Sequence, residues 1–360
     1  MTWGVQNDEV EGHEQLEYAV KERGVTFVDT AEMYPVPMSD PRWGSGRTEE
    51  IIGTWLGRNP GMRDRVTIAT KVMGYSPGSS VAAARTVPPQ SPPPDARLDR
   101  ASIRSACHAS LRRLGTDHID LYQVHWPDRY VPLWGRSTYL YDEERPEGSS
   151  VSIEETVSAL SELVEEGKVR AYGVSNESTY GVCEYARAAE KIGARMPASI
   201  QNSYSLLQRS FESDLAEACS PRHHCVGLLA YSALCGGLLS GKYRLGAEYP
   251  AGPNSRFIAF DDYMRRWHPR HASRSVLDAV DAYARIAGEA GLSPSQLAIL
   301  WCRTRPFVAS HGSVIVGGTS VAQLRENIDA FDIPQEVMDE DLERRISEVH
   351  MRCRDPSSSL

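Results

Sequence analysis

The 360-residue sequence predicts an α/β protein built on parallel strands. Seven short β-branched runs alternate with longer helical patterns, and most of these runs are apolar almost throughout. Strands that are covered on both faces of a parallel sheet have this character. Repeated strand–helix alternation favours a (β/α) barrel or a doubly wound sheet, and the pattern alone does not separate the two. The predicted strands are Val25–Asp29, Val66–Lys71, Ile119–His125, Val169–Val174, Ala198–Asn202, Val226–Tyr231 and Ser313–Val316.

The segments between the strands carry apolar residues at helical spacing. Gly115 predicts the end of one such helix. The inward face of that helix consists of Ile103, Cys107, Ser110, Leu111 and Leu114. Ser152, with Glu155 three residues later, is a capping-box pattern that predicts the start of a helix ending at Gly167. Residues 334–350 predict a C-terminal amphipathic helix. Its inward residues are Val337, Leu342, Ile346 and Val349.

Two segments interrupt the alternation. Residues 74–98 form a Pro-rich insertion, with six prolines between Gly74 and Asp95, and are predicted to be a long loop. Residues 127–150 are rich in Trp, Tyr, Pro and Gly, and we interpret them as a substrate loop because βα loops build the site of a barrel. A decorative insertion is the alternative interpretation of each segment. Residues 1–360 are interpreted as one domain.

The composition argues against several classes of protein. With 39 basic and 48 acidic residues, the chain has a net charge of −9 and lacks the basic balance of a nucleic-acid-binding domain. No apolar run approaches the roughly 18–20 residues that cross a bilayer. The seven cysteines are scattered and form no CxxC motif, and no secretory signal precedes them. We therefore expect a cytoplasmic protein, or one of a plastid or other organelle if the true N-terminus lies upstream.

Polar side chains stand at the C-terminal ends of three consecutive predicted strands, where the site of a barrel lies. These residues are Asp29, Lys71 and His125, and Tyr34 follows Asp29 by five positions. Each has an ordinary interpretation on its own: a helix cap, a salt-bridged lysine, a structural histidine and a packed tyrosine. Together they would place a carboxylate, an amine, an imidazole and a phenol at one rim. That combination suits proton transfer.

Several segments, in order along the chain, resemble the aldo-keto reductases. They are VDTAEMYP, IATK, LYQVHWPD, GVSN, IQNSYS, LLAYSALCGGLLSGKY and VIVGGTSVAQLRENI. The similarity is greatest to the bacterial Tas-type members, which share AEMYPVP and QVHWP nearly verbatim, and it extends from Trp3 to about His350. The resemblance implies a TIM-type (β/α)8 barrel that binds NADPH. It also implies a catalytic tetrad, which consists of Asp29, Tyr34, Lys71 and His125.

These four residue types suit the reduction of an aldehyde or ketone by hydride transfer. Negative charge develops on the carbonyl oxygen, so a proton donor is needed beside it, and Tyr34 is the expected general acid. A phenol has a pKa of about 10, and a neighbouring Lys71 ammonium lowers it by favouring the phenolate. Asp29 would hold Lys71 in place. His125, as a neutral donor, would bind and orient the carbonyl oxygen.

The resemblance also implies cofactor-binding residues. Those matching the groups that hold or stack on the nicotinamide are Ser175, Asn176, Gln201 and Tyr231. Those on the loop matching the pyrophosphate-binding segment are Ser232, Leu234, Gly236, Leu238 and Lys242. Those matching the segment around the adenosine and its 2′-phosphate are Arg256, Gly318, Thr319, Ser320, Gln323 and Asn327. The guanidinium suits a phosphate, so we expect NADPH to be preferred over NADH. Adjacent His223, His224 and Cys225 cannot easily share one ion, so no metal site is expected.

The family pattern starts before Met1. The sequence therefore predicts seven strands, without the N-terminal hairpin and most of the first strand of the barrel. Trp3, Trp126 and Trp134 are candidates for an apolar substrate wall.

Three alternatives to an NADPH-dependent reductase stay open. One is a cofactor-binding regulatory subunit resembling the potassium-channel β-subunits, and another is a shortened form with little activity. A third is aldol or isomerase chemistry through a Schiff base on Lys71, which would leave the phenol and the imidazole without clear roles.

Overall fold

The computed structural model describes residues 1–134, 136, 138–244, 246–247, 250–261, 263–354 and 356. Within these residues the sheet has seven strands in the order β1 to β7, and every ladder whose register is defined is parallel. The strands are β1 (Phe27–Asp29), β2 (Thr67–Val72), β3 (Ile119–Val124), β4 (Val169–Ser175), β5 (Ser199–Ser203), β6 (Gly227–Tyr231) and β7 (Ser313–Val314). Each predicted strand overlaps an observed one, so the parallel α/β prediction is confirmed.

Helices separate the strands. They are α1 (Glu9–Leu16), α2 (Arg47–Arg58), α3 (Ser80–Ala83), α4 (Arg100–Leu114), α5 (Ile153–Glu165), α6 (Thr179–Ile192), α7 (Asp214–Cys219), α8 (Arg256–Ala259), α9 (Arg274–Glu289), α10 (Pro294–Arg303), α11 (Pro306–Ala309), α12 (Val321–Asp329) and α13 (Glu340–Arg352). None of the helices in the described part of the chain is long and apolar enough to cross a membrane.

The helix ends follow the local sequence. The Ser152 hydroxyl accepts a hydrogen bond from the Glu155 amide at 3.2 Å and caps α5, as predicted. Gly115 ends α4 with φ 63°, a left-handed conformation that glycine adopts without steric cost. All five predicted inward residues of α4 are buried. In α13, Leu342, Ile346 and Val349 are buried as predicted, whereas Val337 lies ahead of it in a short 3₁₀ turn.

The chain forms two compact units. The first comprises Met1–Val131, Leu140–Gln201 and Pro221–Val226, and its core includes fully buried side chains of β2 and β3. The second comprises Pro132–Tyr139, Asn202–Ser220 and Gly227–Leu360. Its core includes the Trp301 ring, which stacks on Tyr204 with 5.3 Å between centroids. The prediction of one domain over 1–360 stays a prediction.

The Pro-rich segment 74–98 contains more structure than a loop. Its residues Ser80–Ala83 form α3, and the Ser79 hydroxyl caps this helix by accepting from the Ala82 amide. Val81 and the alanines that follow it are buried. The loop prediction is wrong over α3, because a four-residue helix is too short to show helical periodicity in the sequence.

Candidate active site

The ion pair between Asp29 and Lys71 lies at the ends of β1 and β2, which are neighbouring parallel strands. Lys71 is fully buried, and its Nζ donates to Asp29 Oδ2 at 2.6 Å and to the Thr30 carbonyl at 2.7 Å. Burial lowers the pKa of the Lys71 ammonium, and the Asp29 charge opposes that shift. Asp29 therefore both fixes the position of the ammonium and favours its charged form.

The second oxygen of the Asp29 carboxylate accepts two amide hydrogen bonds. Gln123 Nε2 donates to Oδ1 at 3.2 Å, and Gln201 Nε2 donates to the same atom at 2.9 Å. Gln123 was missed by the sequence reasoning. Its position two residues before His125 is a usable signal, because alternate residues of a strand point to the same face. These amides hold the carboxylate in one orientation against Lys71.

The rings of Tyr34 and His125 meet edge to face, with 5.7 Å between centroids and an interplanar angle of 83°. Lys71 Nζ lies 5.4 Å from the centroid of the Tyr34 ring. His125 is buried, and its Nδ1 has no hydrogen-bond partner among the described residues. Burial, and then the Lys71 charge, lowers the pKa of His125 well below its usual 6.5. The structure thus brings the four predicted residues together, with a neutral imidazole beside the phenol.

The ends of β4 and β5 hold three of the predicted cofactor residues in the same unit as the tetrad. Asn176, with φ 51°, donates from Nδ2 to the His125 carbonyl at 2.8 Å. The Ser175 hydroxyl donates to the Gln201 carbonyl at 2.6 Å, and the Asn176 amide donates to that oxygen at 3.1 Å. The bonds to Gln201 hold β4 and β5 together, and the bond from Asn176 connects the end of β4 to the backbone of His125.

The second unit contains the predicted pyrophosphate segment. Tyr231 ends β6, and burial raises the pKa of its phenol while Arg266 opposes the shift. In the loop that follows, Ser232, Gly236 and Gly237 have φ of 62°, 68° and 104°. A Cβ on Gly236 would lie 2.7 Å from the Phe257 ring, so this position requires glycine both for its backbone conformation and for the close packing.

Lys242 and Arg256, both of the second unit, are close enough for their charges to interact. Burial, and then the charge of Arg256, lowers the pKa of Lys242, while Glu326 of α12 opposes the shift. The Ser320 hydroxyl caps α12 by accepting from the Gln323 amide at 3.3 Å. Further bonds within this segment join Thr319 N to Gln323 Oε1 and Asn327 Nδ2 to the Gly317 carbonyl. A pair of neighbouring cations forms a surrounding that suits phosphate.

The three tryptophans of the predicted substrate wall have different surroundings. Trp126 is buried, donates from its indole to the Tyr75 carbonyl at 3.0 Å, and lies 5.1 Å from the His125 ring between centroids. The Trp3 indole donates to Gln15 Oε1 at 3.1 Å in the first unit. Trp134 belongs to the second unit and is 54% exposed. Trp126 has a ring contact with His125, and the substrate-wall role of all three tryptophans stays a prediction.

The depressed pKa of His125 predicts a pH-dependent stability. In the unfolded chain the imidazole takes up a proton below about pH 6.5, whereas the buried imidazole does not, so the unfolded state binds more protons and stability falls as the pH falls. His125→Gln should remove this term. We expect the free energy of unfolding of the wild type to drop more steeply than that of the variant between about pH 7 and 5, by up to ~1.4 kcal/mol per pH unit. Urea denaturation across this range measures both slopes, and parallel slopes would contradict the prediction.

Comparison with known proteins places the chain in a family. The sequence model described as Aldo/keto reductase family matches residues 1–344. Protein tas of Escherichia coli K12 is 41% identical over 351 residues, which cover 97% of this chain and 92% of that protein. An aldo-keto reductase of Babesia bovis is 38% identical over 269 residues, covering 73% and 90% of the two chains. A probable voltage-gated potassium channel subunit beta of Arabidopsis thaliana is 31% identical over 338 residues, covering 92% and 85%. The chain belongs to the aldo/keto reductase family, whose members are oxidoreductases that act on small carbonyl compounds and generally use NAD(P)H.

Proposed function

We propose that this protein is an NADPH-dependent oxidoreductase that reduces an aldehyde or ketone to an alcohol, with Tyr34 as the general acid. The observation that carries the proposal is the buried Lys71 ammonium, which is bound to Asp29 at 2.6 Å and lies 5.4 Å from the Tyr34 ring centroid. A cation held at this position favours the phenolate over the phenol and so makes the phenol a better proton donor.

The roles of the four side chains follow from their surroundings. The chemistry that a bound nicotinamide supplies is the hydride. Tyr34 holds a proton at its phenol oxygen and donates it to the substrate oxygen, and Lys71 stabilises the phenolate that remains. Asp29 keeps the ammonium charged and in place. The neutral imidazole of His125 can donate one hydrogen bond to the carbonyl oxygen, which polarises and orients it.

Other residues of this chain fit the parts of NADPH. In the first unit, Ser175, Asn176 and Gln201 would hold the nicotinamide carboxamide through amide and hydroxyl groups. In the second unit, Tyr231 would stack on the ring. Phosphate groups would be held by Lys242 and Arg256, whose mutual repulsion an anion would relieve. The backbone amides at the start of α12 are a further group of donors that could bind a phosphate.

The cofactor preference gives a prediction for Arg256. We expect Arg256→Ala to weaken NADPH binding by about ten- to a hundredfold, because a charge-assisted hydrogen bond to phosphate contributes about 1.5–3 kcal/mol. NADH lacks the 2′-phosphate, so its affinity should change little. Fluorescence titration with both dinucleotides measures the two effects. Arg274→Ala is the matched control, since Arg274 is an exposed arginine that pairs with Asp278 on α9 of the same unit. Equal losses for NADPH and NADH would contradict the assignment.

The function itself is tested by following NADPH consumption with a panel of aldehydes and ketones. Turnover that depends on the carbonyl supports the proposal, and no NADPH consumption with any carbonyl of the panel would overturn it.

The similarity to the Arabidopsis protein favours one second candidate, a cofactor-binding regulatory subunit. Tight NADPH binding, very slow turnover and a stable protein partner would support that candidate. Cytoplasmic location is part of the leading proposal, and it accords with seven free cysteine thiols.

A further inference from the structure

A buried carboxylate lies just beyond the end of β3. Asp128 follows His125 by three residues, and its two oxygens accept five hydrogen bonds. Oδ1 accepts from Arg145 Nη1 at 2.8 Å, the Val151 amide at 2.9 Å and Arg97 Nη2 at 3.2 Å. Oδ2 accepts from Arg97 Nε and the Leu98 amide, both at 3.0 Å. We call Asp128, Arg97 and Arg145 the Asp128 cluster.

The Asp128 cluster joins two segments that are far apart in the sequence. Arg97 is at the end of the Pro-rich segment, and Arg145 is near the end of the predicted substrate loop. Both guanidinium groups also donate to the Ser149 carbonyl, at 2.6 and 3.0 Å. The Asp128 carboxylate therefore holds the C-terminal parts of both segments close to the end of β3, just after His125.

A chain of contacts leads from the cluster to the imidazole. The Arg145 guanidinium lies 3.5 Å from the centroid of the Tyr75 ring, which is a close cation–π contact. The Tyr75 carbonyl accepts the Trp126 indole hydrogen bond, and the Trp126 ring in turn packs against His125. Loss of the Asp128 cluster would therefore release both segments. It would also release Tyr75, whose carbonyl accepts the hydrogen bond of the Trp126 indole.

The opposite end of β3 offers a natural comparison. Asp120 is also buried, pairs with Arg63 and Arg170 at 2.8 Å, and accepts from the Ile68 amide. This arrangement resembles that of Asp128 in chemistry but lies at the end of the strand remote from His125. A change at Asp120 therefore reports the cost of losing a buried carboxylate that binds two arginines, without any effect on the two segments.

We propose that Asp128 is a positioning residue that determines which carbonyl compounds are accepted beside His125, because it fixes the Pro-rich segment and the end of the substrate loop around Trp126. This inference rests on the proposed function. Asparagine cannot replace Asp128, since one of its two acceptor oxygens becomes an NH₂ group that would face the guanidinium donors.

The test compares Asp128→Asn with Asp120→Asn in the full chain. Steady-state kinetics with NADPH would use naphthaldehyde as a bulky substrate and propanal as a small one. In Asp128→Asn we expect kcat/KM for naphthaldehyde to fall about tenfold more than that for propanal. Asp120→Asn should leave this ratio unchanged while lowering the melting temperature. Arg145→Met should shift the ratio of kcat/KM for naphthaldehyde to that for propanal in the same direction, but by less. This variant replaces Asp128→Asn in the test if Asp128→Asn folds poorly.

Hydrogen exchange gives a readout that needs no activity. Peptides covering 75–98 and 140–151 should exchange faster in Asp128→Asn than in the wild type, and Asp120→Asn should leave them protected. If the wild-type protein consumes NADPH with neither of these aldehydes nor with any carbonyl of the wider panel, the proposed function fails. Hydrogen exchange alone then decides whether Asp128 holds the two segments. Unchanged exchange, or equal substrate ratios in the two variants, would overturn the inference even in an active enzyme.

Discussion

Replacing Tyr34 with phenylalanine is expected to lower kcat for carbonyl reduction by about a hundred- to ten-thousandfold, the usual contribution of a positioned general acid. The substitution removes one oxygen and leaves the ring, so the edge-to-face contact with His125 is retained. The ion pair of Lys71 with Asp29 does not involve the phenol and should persist. The loss should therefore appear in the chemical step rather than in folding.

The measurement is steady-state NADPH oxidation together with a fluorescence titration of NADPH. Affinity for NADPH should stay within about twofold of the wild type, because the change removes an interaction made in the transition state. Tyr122→Phe is the matched control: Tyr122 is a fully buried phenol of β3 in the same unit, and its hydroxyl has no hydrogen-bond partner among the described residues. Near-normal turnover in Tyr34→Phe, or equal losses in the two variants, would rule out Tyr34 as the acid.

Local pattern in the sequence predicts the strands and the polar residues at their ends. Each strand is a continuous apolar run, and the C-terminal ends of parallel strands meet at one edge. Asp29, Lys71 and His125 end consecutive strands that prove to be neighbours in the sheet, so their convergence follows from topology alone. The resemblance to a known family adds Tyr34, whose position in a loop no periodicity fixes.

The rest of the site depends on pairings that local pattern does not contain. Asp128 pairs with arginines 31 and 17 residues away, and nothing in the neighbouring sequence selects Arg97 or Arg145 over other arginines. Gln201 was predicted to bind the cofactor. In the structure its side-chain amide donates a hydrogen bond to Asp29, a contact that the sequence did not predict. Buried polar groups need partners, but which partner they find is decided by the tertiary fold.

Another such pair, between Glu32 and Arg85, carries the largest expected effect on stability. The two side chains are almost fully buried, and two hydrogen bonds of 3.0 and 2.7 Å join them. Burial opposes the charge on Arg85, and Glu32 outweighs that cost and raises the pKa of the guanidinium. Removing one partner leaves an uncompensated charge in the interior. Arg85→Met should therefore lower the free energy of unfolding by about 3–5 kcal/mol.

Urea denaturation measures this loss. Arg187→Met provides the control, because the pair of Arg187 with Glu184 is largely exposed and should contribute little to stability. Combining Arg85→Met with Glu32→Gln should recover part of the stability, since the buried charge is then gone. Recovery would identify the unpaired carboxylate, rather than lost packing, as the source of the effect. A double variant as unstable as the sum of the two single ones would point instead to packing.

The pair between Glu32 and Arg85 should also affect catalysis, because Glu32 is on the backbone segment that carries Tyr34. Glu32 lies two residues before Tyr34, and its amide donates to the Lys71 carbonyl at 3.2 Å, while its carboxylate accepts from the Met73 amide at 2.7 Å. Arg85 thus anchors the segment that carries the phenol. Folded Arg85→Met should then show a lower kcat as well as lower stability. A kcat equal to that of the wild type, measured well below the unfolding transition, would limit the role of the pair to stability.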